Sequence, residues 1–324
     1  MQHVPLIDWD AAVSAGTMVL PAGPILEAGD VEEVVAALRR AAAAATAHVA
    51  DVTELPEPAS SEILVVDRAT WLKAVTRSAS AMLTAAAGAP EPATSSWQAA
   101  KAKALGGQVG VVMAVVATRI LGQFDPFGEP NRLMLIAPNI VNVERALGVV
   151  PDDFRLWVCL HEETHRFQFG YAPWLRTHLL GLIGELLDGD DLGFAWRSDD
   201  AGPVLGSPAQ QDAFDQASAV MSLLEGHADV MMDRVGPAVV PSFAAIRRAF
   251  DQRRYSSGWF SWVQKLLGLD LKYAQYREGG EFCRAVIQAA DVATLNRAFT
   301  APELLPSLSE LREPQRWLDR ISAL

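Results

Sequence analysis

Apolar residues recur along most of this chain at three- and four-residue spacing, the period of a helix with one buried face. Val31 to Ala50 is an alanine-rich run of this kind, followed by a proline-containing loop to about Ser61. Phe154, Trp157, Leu160, Thr164 and Phe167 mark another helix. It opens at Pro151-Asp152-Asp153, where acidic groups meet the positive end of the helix dipole. Gly170 and Pro173 are expected to stop it. Phe214, Ala217, Val220, Met221, Leu224, Ala228 and Met231 mark a further helix from about Ala213 to Val235, ended by Gly236-Pro237. Asp67 is placed to cap a helix over Ala69 to Ala87. Two short runs break the helical period and read as strands: Ile63-Leu64-Val65-Val66, and Leu133-Met134-Leu135-Ile136 just before Pro138. The pattern predicts a mainly α protein with a small β-sheet, an α+β fold.

Ala89 to Ser96, with two prolines among Ala, Thr and Ser, is the best internal boundary. It separates an N-terminal helical subdomain over residues 1–100 from a larger region over 101–324, the two packed as one compact unit. Val109 to Leu121 is the most apolar stretch, interrupted by Arg119 and too short to span a bilayer. It reads as a buried helix in which Gly106 and Gly110 permit close packing. Leu187 to Gln211, rich in Asp, Gly and Pro, is a candidate flap.

The candidate chemistry is concentrated at His161-Glu162-Glu163-Thr164-His165, a His-Glu-x-x-His pentad inside the helix that starts at Pro151. Two imidazoles four residues apart share one helix face and can grip one zinc ion, with Zn–N distances of about 2.0–2.1 Å. Glu162 follows the first histidine, where it can reach a water rather than the metal. A catalytic zinc needs a third protein ligand and an open position. Glu225, in the apolar setting of the helix from Ala213, is the candidate. Asp229, four residues on and on the same face, is placed to accept a hydrogen bond from the free nitrogen of a ligand histidine. His227 competes for the ligand role, but it lies about 200° around the helix from Glu225, so both cannot face one ion.

Several further segments accompany the pentad. They are Ile7-Asp8-Trp9, Val65-Val66-Asp67-Arg68-Ala69-Thr70-Trp71, Ile120 to Pro126 and Ala137-Pro138-Asn139-Ile140. They continue with Trp157 to Leu160, Pro173-Trp174-Leu175, Leu267 to Asp270 and Lys272-Tyr273-Ala274-Gln275-Tyr276. With them, nearly the whole chain resembles the zincin-like metallopeptidase family of actinobacteria and related bacteria, often labelled as associated with deazaflavin coenzyme biosynthesis. The resemblance implies a zincin-like architecture and a glutamate-zincin site: His161, His165 and Glu225 as ligands of one zinc ion per chain, Glu162 as general base. The expected reaction is cleavage of an amide bond in a peptide or small amide substrate by zinc-activated water. Lys272, Gln275, Tyr276 and Gly279 share a helical face. Tyr276 is the candidate oxyanion donor, with Lys272, Tyr255 and Arg277 as rivals; a buried polar network holding the helix is the other reading. A strand beside the metal-binding helix either holds an extended peptide by strand addition or belongs only to the core.

Composition narrows the partners. Half of the 324 residues are hydrophobic, enough for a sizeable core. The net charge is −12, from 27 basic and 39 acidic residues, and no basic stripe suggests nucleic acid. The start has neither a basic nor an apolar targeting segment. Cys159 and Cys283 read as buried, reduced thiols. A cytoplasmic protein with no membrane association is expected. Three rival readings remain. Two histidines and a carboxylate also describe an iron(II) oxygenase triad, but that leaves Glu162 without a role. A di-iron bundle needs a second Glu-x-x-His, which the chain lacks. A catalytically silent zinc- or partner-binding protein is the third.

Overall fold

The computed structural model describes residues 6–59, 61–188, 207–254 and 274–324, apart from the side chains of 250–254 and 274–277. In chain order the described elements are α1 (Trp9–Val19), α2 (Ala28–Thr53), β1 (Glu62–Val66), α3 (Arg68–Ala87) and α4 (Ser96–Ala117). They continue with β2 (Gly122–Asp125), β3 (Arg132–Ile136), α5 (Ala137–Leu147), α6 (Pro151–Tyr171) and α7 (Trp174–Leu187). The remainder are α8 (Pro208–Val239), α9 (Phe243–Arg254), α10 (Ala274–Ala289), α11 (Val292–Asn296), α12 (Leu308–Arg312) and α13 (Pro314–Ser322). The chain is mostly helical with one small sheet, the α+β class expected from its pattern.

Local chemistry starts several helices. The Asp8 carboxylate accepts from Ala11 N at 2.8 Å and Asp67 from Thr70 N at 2.7 Å. Ser95 and Ser207 do the same for α4 and α8. The sheet has the order β1-β3-β2, with β1 parallel and β2 antiparallel to β3. Strand β3 is buried on both faces. Leu133 and Leu135 join a core with Leu38, Ala45 and Val49 of α2 and Phe154, Val158 and Phe167 of α6. Met134 and Ile136 point the other way, into a cluster with Trp71 and Leu72 of α3 and Ala114 and Ala117 of α4. Residues before position 100 therefore share both apolar clusters with residues after it.

The structure bears on four readings of the pattern. The apolar stretch around Val109 belongs to a longer helix, α4, that starts at Ser96 and stops at Ala117. Its first half is exposed, Trp97 at 72%, so hydrophobic periodicity did not reveal it. By length and composition α4 is apolar enough to cross a membrane. Its glycine face packs on α1, where a Cβ on Gly106 would lie 2.0 Å from Asp8 O and one on Gly110 2.0 Å from Ala12 O. Gly170 does not end α6. It remains helical, and its missing side chain makes room for Pro58, whose Cβ would lie 2.3 Å from an added one. The expected stop at Gly236-Pro237 stands: Gly236, at φ 63° and ψ −168°, is non-helical, and two helical stretches of α8 meet there across a kink. Finally, β3 is the central strand, so it has no open edge to offer a peptide; the edge strand nearest α6 is β2. Most of the candidate flap, residues 189–206, lies outside the described residues.

Helices α8 and α10 cross backbone to backbone. A Cβ on Gly226 would stand 2.2 Å from Gly279 C, and one on Gly279 would stand 1.9 Å from Ser222 O. No rotamer change relieves a clash with backbone. Gly226→Ala should therefore lower unfolding free energy by about 1–3 kcal/mol, the usual range for overpacking. Urea denaturation checks this, and an unchanged midpoint would exclude the close crossing.

Candidate metal centre

Helix α6 carries the pentad through the centre of the molecule, and its flanks explain why it stays put. Pro151 occupies the first turn, and Asp153 Oδ2 accepts from Ser242 N at 2.7 Å, tying the start of α6 to the turn before α9. The middle residues of the pentad are also buried. Glu163, 1% exposed, accepts from Thr46 Oγ1 of α2 at 2.7 Å and from the Arg166 guanidinium. Arg166 also reaches the carbonyls of Pro58 and Ala59. The back of α6 is thus anchored to α2 and the loop after it, while His161 and His165 face α8.

There they meet Glu225. His161 Nε2 lies 3.2 Å from His165 Nε2, and the two rings are nearly perpendicular. Glu225 Oε2 lies 3.5 Å from His161 Nε2, and Oε1 lies 3.6 Å from His165 Nε2. One donor atom from each residue falls within 4.8 Å of the others, a group able to hold a metal ion. The spacing tests the fit to zinc. Tetrahedral coordination at about 2.0–2.2 Å separates neighbouring ligand atoms by about 3.3–3.6 Å. The Nε2–Nε2 separation and the nearest His–Glu225 separations fall close to those edges, with the two histidines approaching different oxygens of the carboxylate. Two imidazoles and a carboxylate are also a zinc donor set. The three side chains are 21%, 13% and 17% exposed, so solvent reaches the cluster.

Glu162 lies beside the cluster against β2. Its Oε2 accepts from Phe124 N at 3.1 Å. Gly122 gives it room, because a Cβ there would come within 2.5 Å of Glu162 Cγ. Burial, aided by the charge of Glu225, pushes the Glu162 carboxyl up to about 7 against the opposing pull of His161 and the Phe124 N–H. His161 is depressed by burial, yet its contact with Glu225 and the charges of Glu225, Glu162 and Asp229 leave it raised overall. His165 is lowered, by burial first and by His161, against Glu225 and Gln168.

Two residues given no role in the sequence reading, Gln168 and Gly122, complete the surroundings. Gln168 Oε1 lies 2.9 Å from His165 Nδ1, and Gln168 Nε2 donates to Leu224 O at 2.9 Å and lies 3.0 Å from His227 Nδ1. A polar residue three positions after His165, on an otherwise apolar helix face, was the available signal. Gly122 was visible only as one residue of the Ile120 to Pro126 segment. His227 is fully buried and faces Gln168, with burial chiefly pushing its ring down to about 3, so it is neutral. Asp229 accepts from Arg247 Nη1 at 2.6 Å and acts on His161 through its charge, while the described ring hydrogen bond runs from His165 to Gln168. Tyr255 and Lys272 lie outside the described residues, as do the side chains of Tyr276 and Arg277. Cys159 and Cys283 are buried and unpaired, and burial raises both thiols.

The arrangement is that of a metal-dependent hydrolase of the zincin type. The profile described as zincin-like metallopeptidase matches residues 7–318, and the chain belongs to that family. A crystal structure from Chloroflexus aurantiacus, described as "a putative hydrolase with a novel fold", is similar at 33% identity and a TM-score of 0.76. The likeness covers 98% of this chain and 99% of that one. No curated protein matches.

Glu225→Ala is expected to remove zinc from the purified, untagged chain. Elemental mass spectrometry should find near one zinc per chain in the wild type and a clear loss in the variant. Equal contents would refute the three-residue site.

Proposed function

We propose that this chain is a zinc-dependent hydrolase that cleaves an amide bond in a peptide or small amide substrate. In this reading His161, His165 and Glu225 hold the ion and Glu162 is the general base. The observation that carries it is the joint geometry: one donor atom from each of three residues within 4.8 Å of the others, with a second, buried carboxylate held beside them by Phe124 N–H.

A zinc ion bound here supplies Lewis acidity, lowering the pKa of water toward about 7 and polarising a carbonyl. The chain's own residues do the rest. Glu162 receives a proton from the attacking water at Oε1, because Oε2 is engaged by Phe124 N–H. It then delivers that proton to the leaving nitrogen. The bare Gly122 leaves the space this carboxylate occupies against β2.

Support for an extended substrate comes from β2. Among the described residues it pairs with β3 alone. Phe124 N–H points away from β3 toward Glu162, so Gly122 and Phe124 present backbone groups on the outer edge. Gly122 N–H, Gly122 C=O and Phe124 C=O are thus placed to align a peptide strand beside the cluster.

A peptide-library digest read by mass spectrometry tests the reading. The zinc-loaded wild type should cleave, and a chelator should stop it. Glu162→Gln should keep its zinc and lose turnover by about 10²–10⁴-fold, the range of general acid–base catalysis. Undiminished cleavage by that variant would exclude Glu162 as the base. Zinc binding with no cleavage by the wild type would leave a binding protein instead.

A further inference from the structure

A single acceptor settles the protonation pattern of two histidines. Leu224 O can only accept, so the Gln168 atom 2.9 Å from it must be the amide nitrogen. Gln168 Oε1 is then the atom 2.9 Å from His165 Nδ1, which makes Nδ1 the protonated nitrogen of that ring. His165 Nε2 is left with a bare lone pair, aimed at His161 Nε2 and Glu225. The second amide hydrogen of Gln168 points to His227 Nδ1 at 3.0 Å, so His227 carries its proton on Nε2.

The chain of contacts continues inward. Among the described residues, His227 Nε2 and Asn296 Oδ1 are both buried without a conventional partner. The two side chains are nonetheless close enough for Asn296 to raise the ring's pKa against its burial. Asn296 Nδ2 donates to Thr53 O, the last residue of α2, at 2.7 Å. Gln168 and His227 are both fully buried. Leu224 directly precedes Glu225, so Gln168 touches both metal-facing helices.

We propose that Gln168, backed by His227 and Asn296, is a positioning residue that locks His165 in the Nδ1–H tautomer with Nε2 presented to the metal. Gln168 touches no substrate and acts only through His165 and through the Leu224 carbonyl. The inference rests on the zinc reading of the site, but the tautomer belongs to the metal-free chain and is measurable there. An ordinary buried glutamine would satisfy its neighbours without setting metal affinity, and the two roles separate by substitution.

Long-range proton–nitrogen correlation spectra of the metal-free wild type should show His165 protonated at Nδ1. Dominance of the Nε2–H form overturns the proposal. Gln168→Met keeps the volume but removes the acceptor. It should mix the tautomers and weaken zinc binding about 10–100-fold, the usual effect of losing such a partner. Gln168→Glu keeps an acceptor for Nδ1–H while losing the donors to Leu224 and His227. It should lose stability but retain most of the zinc affinity, read by competition with a chelating indicator. Equal affinity losses in the two variants, each in step with its urea midpoint, would make Gln168 purely structural and overturn the lock. A wild type that binds no zinc yet shows the Nδ1–H tautomer would refute the zinc reading and leave the tautomer assignment standing.

Discussion

Two imidazole nitrogens and a carboxylate crowded together from two helices are the arrangement everything else must support. Without an ion they offer one another mostly lone pairs and charge, so their proximity has to be held by the fold. Helix α6 is fixed from behind by Glu163, Arg166 and Thr46, and from its start by Asp153 and Ser242. Helix α8 is fixed by the glycine crossing with α10 and by the Leu224 carbonyl that Gln168 holds. Most of these contacts are buried polar ones. Such contacts add little net stability when complete and cost much when broken. They specify the register of α6 against α8.

The sequence made the metal helix legible because its period and its pentad coincide. Phe154, Trp157, Leu160 and Phe167 place the histidines on the remaining face. Glu225 was legible because a carboxylate in apolar company calls for a cation or a donor. What stayed hidden was long-range. Nothing in Leu133–Ile136 says that it lies between two other strands, since strand order depends on residues far away. Gly170 and Gly236 look alike in sequence, yet one is helical against Pro58 and the other is a kink. The first half of α4 buries only the small residues Ala102 and Gly106, which hydrophobic periodicity does not mark, so its start is signalled only by the Ser95 cap. Gln168 was overlooked because one polar side chain on a helix has no signature until its three partners are in place.

The two carboxylates of the centre sit in unlike settings. Glu225 faces the histidines and shares in their exposure, while Glu162 is sunk against β2. Burial drives the Glu162 carboxyl toward neutrality. A carboxyl poised in this way exchanges protons readily near neutral pH, as the proposed role requires. In the proposed reading the same helix carries a ligand face and a proton-transfer position one residue apart, distinguished by which neighbour each side chain meets.

The Phe124 amide has a stereochemical consequence. It occupies one oxygen of Glu162, and the bare Gly122 lets the side chain sit against the strand. In the proposed reaction a single oxygen must therefore collect the proton and hand it on. The nucleophile and the departing nitrogen both have to come within hydrogen-bond reach of that oxygen, on the same side of the scissile group. A substrate can meet that demand only in an orientation that turns its amine toward β2. The backbone of a four-residue strand would then dictate the direction in which a peptide lies across the cleft, before any side-chain pocket has a say.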